Sequence, residues 1–185
     1  MDTAKFWSMI EESRQKSGGN IDKQLEILVE DLSRLPTKSI LGFERSLWAM
    51  MTRAYRADVW DSVRLVACGC SDDGFHDFQG WLIAQGQVIY EEILADPQAL
   101  ADRVDKIQRF NIFHGRMTST AEEAYEQKTG ELIPESEYEY REQAVLVGGP
   151  LTPEPELPAK YPRIVAKLGK CDDVDWGEVY DELHR

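Results

Sequence analysis

Cysteine and histidine are scarce, with three of each in 185 residues. Cys68, Cys70 and Cys171 are odd in number, and the first two stand too close for an easy mutual disulfide, which suits a reducing compartment. They read instead as packed thiols, Cys68 and Cys70 closing an apolar helix. A structural zinc site wants four Cys or His ligands in recognisable pairs, whereas His76, His114 and His184 are scattered singly, so no metal is expected. Long apolar runs are missing too: Arg, Asp or Gly breaks each one short of the roughly 18–20 residues that a membrane span needs. Met1 to Glu12 holds Asp2, Glu11 and Glu12 and no basic segment followed by an apolar block, which predicts no secretory leader and a cytoplasmic location. Gly-rich phosphate loops, dinucleotide fingerprints, calcium loops and zinc-protease helices are absent as well, so no cofactor is expected.

Positive charge is in short supply. There are 21 Lys and Arg against 34 Asp and Glu, a net charge of −13. The excess is uneven, with 18 acidic and 14 basic residues in 1–117 but 16 and 7 in 118–185. Without a Lys/Arg cluster, phosphate backbones and anionic bilayers would be repelled, which disfavours nucleic acid and membrane surfaces as partners. A basic protein partner is compatible. A hydrophobic fraction of 42% is ordinary for a folded chain, and the length suits one core without disulfide or metal support.

Apolar spacing is helical almost throughout. Thr3 to Ser17 reads as a helix with Phe6, Trp7 and Ile10 on one face and a stop at Gly18-Gly19. Asn20 caps a second, with Ile21, Leu25, Leu28, Val29, Leu32 and Leu35 at helical spacing up to Pro36. A third starts at Thr37 or Ser39 and runs to Tyr55 through Ile40, Phe43, Leu47, Met50 or Met51, and Ala54. Asp58 and Asp61 open an apolar fourth, Val59 to Cys68, which Gly69 closes in a left-handed cap. Ser71 caps a fifth whose stripe is Phe75, Phe78, Leu82 and Ile83. Beyond Gly86, Val88, Ile89 and Leu94 continue the pattern, and Asp96-Pro97 starts a short element through Val104. Asp105 to Thr118 is irregular. Ser119 and Glu122 form a capping box for a last core helix ending at Gly130.

Five of the eight prolines (Pro150, Pro153, Pro155, Pro158 and Pro162) then crowd into an extended run. The expected fold is therefore all-α, a compact bundle of about six to eight short helices. Residues 1–130 form the core, and 131–185 form an acidic, Pro-rich strap over it. In that strap, 144–147 is strand-like, Tyr161 to Leu168 is a helix, and Trp176 and Tyr180 anchor the end.

Candidate chemistry concentrates after Cys70. On a helix Asp72 and His76 are four apart, as are Asp73 and Asp77, so each pair shares a face and offers an acid/base pair or oxygen and imidazole ligands. Capping alone also selects Ser71, Asp72 and Asp73 at a helix start. Ser71 lacks a strand-to-helix elbow, and no His/Asp partner is assignable to it or to Cys70. Trp7, Trp48, Tyr55, Trp60, Trp81 and Tyr90 are aromatic enough to line a groove, although core packing is their commoner use. The acidic stretch Glu122 to Glu142, with Tyr125, Tyr138 and Tyr140, is a solvated face or a protein-binding surface.

Phe6-Trp7 with Ile10, Tyr55 and Trp60, Gly69-Cys70-Ser71-Asp72-Asp73-Gly74-Phe75, Phe78, Trp81-Leu82-Ile83, Gly86, Asp96-Pro97 and Ala124-Tyr125 carry a resemblance. Over roughly Met1 to Gly130 the chain resembles a bacterial family, domain of unknown function 4240. The resemblance implies a helical bacterial cytosolic protein and brings no catalytic residues with it. The residues favour a non-enzymatic protein-binding module of immunity or regulatory type, with Trp7, Tyr55, Trp60, Ser71, Trp81 and Tyr125 as binding candidates. The alternative is a small hydrolase, metal-assisted or not, using Asp72, Asp73, His76 and Asp77.

Overall fold

Residues 1–141 and 144–183 are described by a computed structural model. The all-α expectation holds. Seven α-helices occupy the first 130 residues: α1 (Thr3–Ser17), α2 (Ile21–Ser33), α3 (Thr37–Ala54), α4 (Ala57–Val66), α5 (Asp72–Ala84), α6 (Gln87–Ala95) and α7 (Thr120–Thr129). Three short ones follow among the described residues: α8 (Leu157–Lys160), α9 (Pro162–Leu168) and α10 (Trp176–Leu183). Between them lie 3-10 turns at Pro97–Asp102, Gln108–Phe110 and Gly115–Ser119.

Side-chain oxygens set several of the starts. The Asn20 side chain accepts from the Lys23 amide at 2.8 Å, Ser71 Oγ from the Gly74 amide at 3.1 Å, and Asp96 Oδ1 from the Gln98 amide at 3.1 Å. At α1 the cap is Asp2, which accepts from the Lys5 amide at 2.8 Å, and not Thr3. Gly18 and Gly130 close α1 and α7 in the left-handed region. After α4 it is Cys68, at φ 58, that takes the left-handed turn ahead of Gly69.

α5 is the central helix. It packs on α1, α3, α4 and α6 and on the 115–119 turn, and from Phe78 to Ala84 it is buried on every side. The close approach of that turn depends on Gly80, where a Cβ would sit 3.0 Å from the His114 carbonyl and 3.2 Å from Met117. α2 and α3 flank α7, while α4 and α9 hold the 97–102 turn.

The strap is more ordered than expected. Leu157, Tyr161, Ile164 and Leu168 enter the same apolar core as the helices before residue 130. Pro158 and Pro162 lie in first helical turns, where a missing amide hydrogen costs nothing. Asp61, wholly buried on α4, accepts from the Thr152 amide at 3.1 Å, Thr152 Oγ1 at 2.5 Å and Lys160 Nζ at 3.0 Å, with Arg64 Nη1 at 3.2 Å. The strand-like segment makes a single parallel bridge, Val147 with Arg56. At the end it is Val179 that is buried, while Trp176 and Tyr180 stay 57% and 63% exposed.

The cysteines overturn an expectation. Cys68 and Cys171 form a disulfide across a sequence separation of 103, with Cα atoms 5.3 Å apart, and only Cys70 is free. Neighbouring thiols were too close to pair. The partner instead arrives from the far end of the chain, carried past α4 by α9.

Candidate binding cleft

α5 packs against α3, and beside its first turn the two leave a cavity of about 440 Å³. Trp48, Met51, Thr52 and Tyr55 form one wall, and Asp72, Asp73, His76 and Gln79 form the other, with Ala144 at the edge. The helix-start geometry created by Ser71 therefore aims Asp72 and His76, one turn apart, into a concave site. Gln79 supports the wall from behind, its amide donating to the Met51 carbonyl at 2.7 Å. The Tyr55 hydroxyl is raised above its ordinary value by burial and by the neighbouring Asp72 carboxylate.

Trp48, Met51 and His76 also line an adjoining recess of about 120 Å³. Its floor is Glu44 of α3, only 2% exposed, and Thr118, Ser119, Glu122 and Arg141 close it. Arg141 Nη2 pairs with Glu44 Oε1 and lies 3.4 Å from Glu122 Oε1. The Tyr140 hydroxyl donates to Glu44 Oε1 at 3.2 Å and the Tyr138 hydroxyl to Glu122 Oε1 at 2.8 Å. Arg141 also stacks over the rings of Tyr138 and Trp48, at 4.0 and 5.3 Å. Among the described residues two buried side-chain atoms have no hydrogen-bond partner, Glu44 Oε2 and Arg141 Nε. Burial pushes the Glu44 carboxyl above the usual carboxylate range, against the opposing pull of Arg141.

The expected site residues are divided by this geometry. Asp72, Asp73, His76 and Tyr55 come together in the cleft. Asp77 does not join them, because its carboxylate lies against Gly115, around the helix from the cleft. Ser71 spends its hydroxyl on the cap. Trp7, Trp60 and Trp81 are 4%, 8% and 7% exposed and sit in the core, Trp7 against Phe6 and Tyr90, Trp60 stacked on Phe75, and Trp81 on Phe78. Helical stripes bury large rings before they can offer them to a partner. Tyr125 packs half-buried on the same core. Among the described residues no group of three or more His, Cys, Asp and Glu is arranged to hold a metal ion.

Sequence reasoning passed over Glu44 and Arg141. Glu44 stands within the apolar stripe Ile40, Phe43, Leu47 and Met51, and a carboxylate in such a stripe is the signal of a buried polar site.

A larger cavity of about 680 Å³ lies where the C-terminal segment meets α4, between Arg64, Leu65, Cys70, Glu154, Leu157 and Lys170. The Cys70 thiol there is pushed up to about 12 by burial, which leaves it protonated and a poor nucleophile.

Fold and site together define an all-α protein with an acidic, aromatic-walled cleft between two of its helices. Among the described residues no helix is long and apolar enough to cross a membrane. The chain belongs to the family described as Protein of unknown function (DUF4240), which matches residues 1–127. That span includes α3, α5 and Glu122 of the cleft, and Arg141 lies beyond it. Comparison with curated proteins and with solved structures finds no match.

Proposed function

We propose that this chain is a non-enzymatic protein-binding module of immunity or regulatory type, working in the bacterial cytoplasm, whose acidic cleft holds a basic partner. The supporting observation is that Asp72 and Asp73 with the Trp48 and Tyr55 rings line a cleft, and Glu44, Glu122 and Arg141 an adjoining recess that shares Trp48, Met51 and His76 with it. Carboxylates beside aromatic faces attract cations by charge and by ring quadrupole together. Ser71 and Cys70 nearby are otherwise engaged, Ser71 in its cap and Cys70 protonated by burial. Fluorescence anisotropy with a labelled arginine- and lysine-rich peptide tests the reading. Binding is expected at low ionic strength, weakened by salt and by the double change Asp72→Asn and Asp73→Asn. A basic peptide that does not bind at low salt overturns it.

The second reading, a small hydrolase, draws on Asp72, Asp73 and His76 sharing the concavity. Turnover of ester or phosphoester substrates that disappears in a folded His76→Ala variant supports it; identical rates in both proteins remove it. The cytoplasmic location has its own check, because the Cys68–Cys171 bond weighs against a reducing compartment. Acid-quenched alkylation in the native cells should find both thiols free, and a bonded pair counts against the cytoplasm.

A further inference from the structure

We infer that the recess floored by Glu44 is a receptor for a single lysine side chain of the partner. This rests on the protein-binding reading and specifies the chemistry of the same cleft. The Glu44 side chain is 3% exposed, yet one of its two oxygens has no partner among the described residues. A buried carboxylate oxygen that has given up water and gained no donor is unfavourable, so the site is incomplete as it stands. The missing group is a donor, and the charges around it say that it is cationic: Glu44 and Glu122 in the recess and Asp72 and Asp73 in the adjoining cleft, against Arg141.

Its shape selects between the two basic side chains. Arg141 and the Tyr140 hydroxyl already occupy Oε1, so Oε2 alone is open. A guanidinium recognises carboxylate best through two parallel bonds, and that fork is not on offer here. An ammonium is a compact point charge that needs one oxygen and follows a slender apolar stem. Trp48 and Met51, shared by cleft and recess, form the apolar passage for that stem. A recess of about 120 Å³ also has room for a water beside the ammonium, to accept from the second orphan, Arg141 Nε.

The test uses a fluorescein-labelled Gly-Ser peptide with one central lysine, and the same peptide with arginine, acetyl-lysine or norleucine in its place. On the unmodified protein the lysine peptide should bind tightest, with acetyl-lysine and norleucine weaker by about tenfold or more, the worth of one charge-assisted hydrogen bond. Glu44→Gln should lower lysine-peptide affinity to the norleucine level. Should Glu44→Gln fail to fold, the acetyl-lysine comparison on the unmodified protein still decides. Equal affinity for lysine, acetyl-lysine and norleucine overturns the lysine receptor; arginine binding best does so too. Both outcomes leave the module reading standing if the basic-rich peptide of the earlier test still binds. Failure of that peptide removes the module reading itself.

Discussion

Arg109 is a buried cation with no carboxylate beside it among the described residues. Only 1% exposed, it donates to the Val66 carbonyl, to Leu65 at 3.1 Å and to Leu168 at 2.9 Å. Val66 ends α4 and Leu168 ends α9, so the negative ends of two helix dipoles converge on one guanidinium. Desolvation lowers its pKa, and arginine retains its proton even so. Arg109→Met should cost about 2–4 kcal/mol in urea denaturation, because three buried carbonyls lose their donor. Arg109→Lys should recover only part, lacking the planar fork. Glu44 makes a second prediction at this scale. Its raised folded-state pKa means that the folded chain binds a proton more readily than the unfolded one. Its contribution to stability is complete below the ordinary carboxyl range and is lost as pH rises through the raised value. The urea midpoint of the unmodified protein, compared across that window with Glu44→Gln, should show the fall only where the carboxyl is present. Neither residue was legible as a site. Arg109 lies in the irregular 105–118 stretch, where no period assigns a face, whereas Glu44 and Asp61 did leave a trace as charges placed inside apolar stripes.

At the scale of the element, local chemistry was readable wherever one residue satisfies one backbone group. Asn20, Ser71 and Asp96 cap as their side chains dictate. Ser71→Ala should therefore lower the stability of the fold by about 1 kcal/mol, measured by thermal or urea unfolding. The same change should also loosen the aim of Asp72 and His76, visible as weaker binding of the basic peptide. The Ser119 and Glu122 capping box does not form. α7 grows straight out of the 115–119 turn, and Ser119 Oγ bonds instead to the Arg116 carbonyl and Glu123, each at 3.0 Å. A preceding turn that continues the helical path removes the orphan amides a cap would serve. Val88 shows the limit of counting apolar positions: it is 80% exposed, and Tyr90, Ile93 and Leu94 bury α6.

Taken whole, the molecule depends on contacts between distant parts of the chain that no local pattern announces. The all-α class followed from helical spacing in nearly every segment. The Pro-rich run also marks the C-terminal segment as a strap over the core, but not the contacts that hold it there: Asp61 with Lys160, the Tyr161 hydroxyl on the Asp58 carbonyl at 2.9 Å, and Arg163 with Asp96 and Asp102. Acidic 135–141, readable as a solvated face, likewise turns Tyr138, Tyr140 and Arg141 inward onto Glu44 and Glu122. Cross-linking of a loop this long restricts the unfolded chain, an effect of about 4–5 kcal/mol on chain entropy. Cys171→Ser or reduction by dithiothreitol should therefore lower the melting temperature, and reduction of the Cys171→Ser protein should lower it no further.

The bond between Cys68 and Cys171 also makes the protein a lasso under tension. Pulled from its two ends, the chain transmits force across the sulfur bridge and leaves the enclosed span, a sequence separation of 103, slack. At about 3.4 Å per residue, roughly 350 Å of contour length stays out of reach of the pull until the bridge is reduced.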